Sequence, residues 1–400
     1  MAELSVLIVN YNTWRECAQA IATLRQHGPT RPDGSPMPFE CIVVDNCSPQ
    51  QPQRWIDEVE EQLRLLCAEQ RDERAGVLIR HGENGGYSKG MNLAFRHSRG
   101  RWILVSNPDL VFGDGLIPKL QRHLENDPQA GIVVPKGFWD TAYSGHLPPN
   151  TLPTLADAWV EALSQYSRGV RRRHARRLLA SWMKVWQAER PLHLPMMSGC
   201  LFLIERDYFE SIGRFDERYP LYYEDADLSV AIRRSGRTVT QVPDARLIHF
   251  VNRSGMSDLQ TMWQRHHESR RKFYRKWYGP LGSATLAVTR WLVQTRLLRR
   301  LRKVVPEEPF TDLGESGAPP VLELPRHCER YLVLMSLDMR FFLAAGIYGS
   351  GDRWTPSDEA FAAFVNANFY FCVYDLSGGR PEHLGTWRYY CLSHLGQPVP

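Results

Sequence analysis

The stretch from Asn84 to Phe112, NGGYSKGMNLAFRHSRGRWILVSNPDLVF, holds the densest set of residues able to do chemistry. Asn84, Gly85 and Gly86 read as a tight turn into a helix. The free N–H groups of that helix suit a phosphate or another polar ligand, with Lys89 and Asn92 one turn further on. A short apolar strand then delivers Asn107 and Asp109 to its carboxyl end. A carboxylate there can hold Mg2+ or Mn2+, which in nucleotide sites keeps waters and takes one or two protein oxygens while a diphosphate supplies others. The acidic loop YYEDADL sets Glu224, Asp225 and Asp227 at a helix start. The helix dipole favours carboxylates at such a place in any case, so capping and catalysis are both open readings. Asp227 is expected to cap the helix or to pair with Arg233 or Arg234.

The elements that must position these groups alternate along the first 135 residues: SVLIVN, CIVVDN, GVLIR, WILVSN and GIVVP, separated by longer amphipathic segments. The apolar runs are continuous, as in strands of a parallel sheet covered on both faces. An open α/β sheet follows, with ligands expected beyond the carboxyl ends of its strands. Those ends carry Asn10, Tyr11 and Asn12, then Asp45 and Asn46, then Asn107 and Asp109. Any one of these loops could be a simple cap or turn. Three in one sheet converge on a common rim.

An Arg-rich helical stretch spans residues 155–190 and is expected to interrupt the sheet as a basic insertion; a lid is one reading of it. The sheet pattern resumes at Cys200 to Ile204 and ends with strands near Val239 and Ile248, so the first domain is expected to cover 1–255. Residues 256–304 read as an amphipathic basic helical region broken at Gly279 and Pro280, and 305–320 as a linker. The segment 321–400 reads as a small α+β module of unknown role, with SDEAFAAF as a capped helix. Its Trp354, Phe369, Tyr370 and Trp387 are expected to fill a small core, stacking on sugars being the alternative.

The 400 residues include 43% hydrophobic and 23% charged side chains, which excludes collagen-like, coiled-coil and wholly disordered chains. The formal charge of +5 is concentrated: from Arg168 to Arg190 there are 8 basic residues against one acid, and from Arg265 to Lys303 there are 12 against one. The remainder is net acidic. A local anionic partner, such as a lipid surface, fits this better than nucleic acid, for which no recognised module is present. Phe273, Tyr274, Trp277, Tyr278 and Trp291 interleave with the second basic run, which suggests docking on the inner leaflet of the cell membrane. The 8 cysteines form no C-x-x-C pair and read as reduced thiols. The start of the chain has neither the basic charge nor the length of a signal peptide, and no apolar run is long enough to span a bilayer. A cytoplasmic location, peripheral on the membrane, is expected.

IVNYN, VVDN, NGGYSKGMN, NPD, SGCLFLIERDYFESIGRFDERY, YYEDADLSVAIRRSG and a histidine just after a strand, His249, occur in that order. Together they resemble the family 2 glycosyltransferases, particularly their rhamnosyltransferase-like branch, over about residues 4 to 278. The resemblance implies a GT-A type open mixed sheet flanked by helices and an inverting transfer of a sugar, rhamnose being one candidate. The donor would be a dTDP- or UDP-sugar, and the acceptor a glycan or lipid-linked hydroxyl. It also implies roles. Asp45 would hydrogen-bond the pyrimidine base, with Asn12 beside the nucleoside and Asn10 among the donor-binding residues. Lys89 and Asn92 would contact the diphosphate or ribose side, and Asn84 and Asn107 would be among the donor-binding residues. Asp109 and His249 would hold a divalent cation, Mg2+ or Mn2+; for His249 the alternative is a buried, hydrogen-bonded histidine. Asp225 would be the catalytic base and Glu224 would help bind the acceptor. Where most of the family has D-x-D, this chain has Asn107, Pro108 and Asp109, which leaves one carboxylate for the metal. Such a transfer needs a base for the acceptor hydroxyl and a cation for the departing diphosphate, and no nucleophilic residue. The rivals are a sugar nucleotidyltransferase, whose Gly-rich loop is replaced here by NYNTWRE, and an inactive scaffold that binds glycans or membranes.

Overall fold

The structure, a computed structural model, describes residues 2–31, 33–249, 259–302 and 309–392. Along the chain come β1 (Leu4–Asn10), α1 (Trp14–Gln26), β2 (Phe39–Asp45), α2 (Gln53–Gln70), β3 (Gly76–Arg80), α3 (Tyr87–His97), β4 (Trp102–Ser106), β5 (Leu110–Val111), α4 (Leu116–Asn126) and β6 (Ala130–Phe138). Next are β7 (Gly145–His146), α5 (Leu155–Leu163), α6 (Arg168–Trp186), β8 (Leu192–Leu194), β9 (Leu201–Glu205), α7 (Arg206–Ser211), α8 (Glu224–Arg234) and β10 (Thr238–His249). Last are α9 (Leu259–Gln294), α10 (Arg296–Arg302), β11 (Thr311–Ser316), β12 (Leu322–Ser336), β13 (Ala345–Trp354), α11 (Asp358–Ala362), β14 (Asn368–Asp375) and β15 (Glu382–Cys391). These elements form two compact units. The first comprises Met1–Gly137, Asn150–Trp159 and Ala188–Arg290; the second comprises Phe138–Pro149, Val160–Gln187 and Trp291–Pro400.

In the first unit β3, β2, β1 and β4 run parallel in that spatial order, and β9 then adds antiparallel to β4 with β6 antiparallel beyond it. Every residue of β1, β2 and β4 is buried, as their uninterrupted apolar runs require. Because successive side chains of a strand point to opposite faces, β1 serves two cores. Val6 and Ile8 pack with Trp14, Ile21 and Leu24 of α1 and with Val59 and Leu63 of α2. Leu7 and Val9 pack with Met91 and Phe95 of α3 and with Leu228 and Ile232 of α8. This is the expected open mixed α/β sheet with helices on both faces. Its parallel register sets Asn10 beside Asp45 and Asp45 beside Arg80. A separate antiparallel pairing of β10 with β5 sets His249 opposite Leu110.

The break expected at Gly279 and Pro280 is present within α9, where Gly279 has φ 59° and ψ −143°. Before that break the helix is part of the first unit's core, which corrects the reading of its aromatics as a lipid-facing set. Phe273 and Tyr274 are fully buried. The hydroxyls of Tyr274 and Tyr278 donate to the carbonyls of Thr154 and Pro153, both at 2.8 Å. Asp227 is corrected too. It pairs with Lys276 rather than Arg233 or Arg234, accepting from Lys276 Nζ at 2.7 Å, Trp277 Nε1 at 2.7 Å and the Tyr219 hydroxyl at 2.9 Å. Removing a buried carboxylate strands its donors without partners. Asp227→Ala is therefore expected to cost about 2 kcal/mol of stability, read from the urea midpoint. An unchanged midpoint would show that the network does not hold α9 to α8.

The second unit is built on β13, β12, β14 and β15, paired antiparallel in that order, with β7 antiparallel on β13 and β11 parallel on β15. The stretch read as a linker thus contributes β11, and its residues 305–308 lie outside the described residues, as do 256–258, 303 and 304 of the helical region. Trp354, Phe369 and Trp387 lie in the core of this unit. The expected capped helix is α11, where the Ser357 hydroxyl accepts from Ala360 N at 3.2 Å. Residues 155–190, read as one insertion, divide between the units. α6 packs on the second unit's strands through Leu179, Trp182 and Trp186, against Leu332, Leu334 and Cys372. Among the described residues no helix is long and apolar enough to cross a membrane, and all eight cysteines are free.

Candidate active site

The rim begins where β1 and β2 end. Asn10 is fully buried, and its side chain joins three elements: Nδ2 donates to Asp45 Oδ1 at 3.1 Å, and Oδ1 accepts from the N–H and hydroxyl of Thr13 at 3.2 and 2.8 Å. Asp45, 3% exposed, also accepts from Ser48, whose hydroxyl lies 2.5 Å from Oδ1 and whose N–H lies 3.3 Å from Oδ2. The Ser48 hydroxyl in turn accepts from Asn12 N at 2.9 Å. Asn12 adopts a left-handed φ of 59°, tolerable for asparagine, and its Oδ1 accepts from Gln50 N at 3.0 Å. Ser48 carries no signal in the sequence, yet it ties the first two loops together.

Asn46 links this rim to the glycine turn. Its Nδ2 donates to Asn84 Oδ1 at 3.1 Å, and the same Asn84 oxygen accepts from Gly86 N at 3.2 Å. Asn46 Oδ1 is buried without a partner. Gly86 has φ 88°, and a Cβ there would fall 2.4 Å from the Pro220 carbonyl, so only glycine lets the turn lie against the loop that leads to the acidic residues. Lys89 and Asn92, one turn on, diverge. Lys89 stands on the exposed side with its Nζ 3.6 Å from Glu83. Asn92 is buried and holds the 215–217 segment, donating to Phe215 O at 2.8 Å and Glu217 Oε1 at 2.9 Å and accepting from Phe215 N at 3.3 Å.

Asp109 and His249 meet through the β5–β10 pairing. His249 Nε2 lies 3.1 Å from Asp109 Oδ1, and both residues are buried. Burial alone would lower the imidazole's pKa, but the Asp109 carboxylate outweighs it and, with Cys200, raises it to about 10. Asn107 sits beside them, its N–H donating to Cys200 O at 2.7 Å and its Oδ1 accepting a long 3.5 Å bond from the Tyr87 hydroxyl. Among the described residues no cluster of three or more His, Cys, Asp or Glu side chains could hold a metal.

Glu224 and Asp225 open α8. Asp225 Oδ1 accepts from Ala226 N at 2.8 Å and Oδ2 from Asn150 Nδ2 at 3.3 Å, while the missing side chain of Gly199 leaves room for the carboxylate. Asn150 also donates to Met197 O at 3.2 Å, so it is fixed from two sides. Glu224 Oε2 has no hydrogen-bond partner. Both carboxyls are held above the usual carboxylate range: Glu224 by burial and by its charged neighbour, Asp225 by burial against opposing backbone N–H bonds. Tyr87 gathers the site. Burial raises its phenol pKa, and Glu224, Cys200, Asp225 and Asp109 all add to the shift. The Tyr87 hydroxyl also lies 3.4 Å from the carbonyl of Gly199, beside which the Asp225 side chain packs.

The profile of the glycosyl transferase family 2 matches residues 5–213. The N-acetylglucosaminyl-diphospho-decaprenol L-rhamnosyltransferase of Mycobacterium tuberculosis (strain H37Rv) is 28% identical over 216 residues, 50% of this chain and 66% of that protein. The chain thus spans just under two thirds of that relative's length. The O-antigen biosynthesis protein RfbC of Myxococcus xanthus is 31% identical over 104 residues, 25% of this chain and 7% of that protein. Among solved structures, the mannosyltransferase PcManGT from Pyrobaculum calidifontis, in complex with GDP-Man and Mn2+, aligns at a TM-score of 0.43 and 15% identity over 76% of this chain and 73% of its own. GalNAc-T7 with UDP, GalNAc and Mn2+ aligns at a TM-score of 0.44 and 13% identity over 97% of this chain and 72% of its own. With that profile covering more than half of its residues, the chain belongs to glycosyl transferase family 2.

Proposed function

We propose that this glycosyltransferase moves a sugar, rhamnose first among the candidates, from a dTDP- or UDP-sugar to a hydroxyl of a lipid-linked glycan acceptor, inverting the anomeric centre in one displacement. The observation that supports this reading is that the Tyr87 hydroxyl reaches both Asn107 Oδ1, at 3.5 Å on the side of the Asp109–His249 pair, and the carbonyl of Gly199, at 3.4 Å, the glycine against which Asp225 packs. The relative's name supports the sugar and the acceptor class. A lipid-linked acceptor also brings the protein to a membrane surface.

A divalent cation fits the first pair. Asp109 offers a carboxylate and His249 an imidazole, both buried and side by side, which are donor types that such a cation takes. Asp109 and His249 would hold Mg2+ or Mn2+, with the donor diphosphate and waters completing its shell. A bound cation stabilises the negative charge on the leaving diphosphate. Asp45 and Asn12 would line the base and nucleoside, and Asn10 keeps Asp45 in place. Asn84, Lys89 and Asn107 would serve the diphosphate and sugar, and Asn92 braces the segment beneath them. Asp225 would take the proton of the acceptor hydroxyl, and Glu224 would orient the acceptor. The test is to incubate the full chain with dTDP-, UDP- and GDP-sugars, Mn2+ and a polyprenyl-diphosphate-linked N-acetylglucosamine, and to measure released nucleotide. Release that depends on acceptor supports the reading; no release from any donor sinks it.

Asn150 bears on the same chemistry as a positioning residue. Its amide favours the ionised, correctly turned form of Asp225. Asn150→Ala is expected to lower kcat about tenfold with KM for the donor unchanged, and to move the acid limb of the pH profile upward. A change in donor KM alone would contradict this role.

A further inference from the structure

α6 is two-sided, and both sides can be accounted for within the second unit. Leu179, Trp182 and Trp186 face the strands. Arg173, Arg176, Arg177 and Lys184 project outward, exposed, and none makes an ion pair among the described residues. Elsewhere on the surface Arg25, Arg64, Arg99, Arg101 and Arg218 of the first unit, and Arg326 and Arg388 of the second, each face a carboxylate. Like charges three and four residues apart on a helix repel, so this ridge carries a cost that an anionic surface would remove.

Beside the ridge is the tip of the β12–β13 hairpin. Leu337 and Leu343 flank it at 46% and 54% exposure, and Phe341 is held in a left-handed φ of 50°. The Phe342 ring lies 6.0 Å from the His174 ring of α6 and 4.6 Å from the Arg340 guanidinium, which places the tip against the basic half of the helix. Aliphatic side chains next to unpaired arginines match a bilayer interface, where a wedge enters the acyl boundary while cations meet headgroups. Nucleic acid would use the charge but gain little from leucines. A second copy docked through the same patch would set one arginine ridge against another.

We propose that the second unit docks on the surface of an anionic phospholipid bilayer, with the 337–344 tip inserted and the outer side of α6 against the phosphates. The inference deepens the lipid-side reading above and rests on it for the acceptor, but on residues with no part in the transfer chemistry. The test is co-sedimentation of the full chain with phosphatidylcholine vesicles, with and without phosphatidylglycerol. Binding is expected only with phosphatidylglycerol and is expected to weaken with salt. The combined change Arg173→Ser, Arg176→Ser and Arg177→Ser should weaken it roughly a hundredfold. Leu337→Ser with Leu343→Ser should weaken it roughly tenfold. Without vesicles, nucleotide release should be the same in both variants as in the parent chain. Equal binding to neutral vesicles, binding that both variants retain, tighter binding to an oligonucleotide at the same salt, or a dimer that either variant dissociates would overturn the proposal. Vesicle binding by a chain that releases no nucleotide would leave docking standing and remove the catalytic reading instead.

Discussion

Asp225→Asn is expected to lower transfer by about 10²- to 10⁴-fold, the usual span for loss of a general base, while donor binding, read as a thermal shift with nucleotide sugar, persists. The same change should stabilise the free protein at neutral pH. Burial raises the pKa of Asp225, so folding favours its protonated form. Its contribution is most favourable below the unfolded carboxylate pKa and is lost as pH rises through the higher folded value, which leaves a penalty at pH 7. An uncharged isostere removes that penalty, for a gain of about 1 kcal/mol. A variant that is slower and yet melts higher at pH 7, with the difference vanishing near pH 4, would bear the signature of a strained base. A variant with unaltered turnover would remove Asp225 from the mechanism. The acid limb of kcat/KM should also lie above the ordinary carboxylate range, because activity requires the ionised form.

The second large effect concerns the cation. Chelation by EDTA is expected to stop turnover and added Mn2+ or Mg2+ to restore it. Asp109→Asn should cost about 10²- to 10³-fold, the scale of losing one group that stabilises developing charge. His249→Ala should raise the Mn2+ concentration needed for half-maximal rate, since on the proposed reading one of the two protein donors would be gone. Full activity in EDTA would refute the assignment for both residues. Asn107, standing where a second carboxylate is usual in the family, makes the site poor in negative charge. Its dependence on the diphosphate for ligands should therefore be correspondingly strong.

The sheet was legible because its signal is local. SVLIVN, CIVVDN and WILVSN declare buried strands by themselves, and the polar residues after them fall at the carboxyl ends where the parallel register gathers them. The pairing of Asp109 with His249 is not local: 140 residues separate them, and only the motif resemblance brought them together before the β5–β10 register did. Residue type also misled about reach. Asn10 and Asn92 are the right kind of side chain for a ligand, but their amides are engaged within the protein, Asn10 with Asp45 and Thr13 and Asn92 with the 215–217 segment, which no spacing rule reports. Phe273 and Tyr274 looked like half of an amphipath, whereas the face they occupy is covered by the first unit. Asn150 and Ser48 had no signal at all, because their importance lies in what folds against them.

The second unit is assembled from three separated stretches of chain, and its last hundred residues supply the strands on which α6 rests. Truncation after residue 290 would not yield a minimal enzyme: it would bare Trp182 and Trp186 on a helix already translated, inviting aggregation. During synthesis those tryptophans must wait for β12 to β14 to emerge. Dissection of this enzyme by deletion should therefore excise 160–187 together with the tail, or neither.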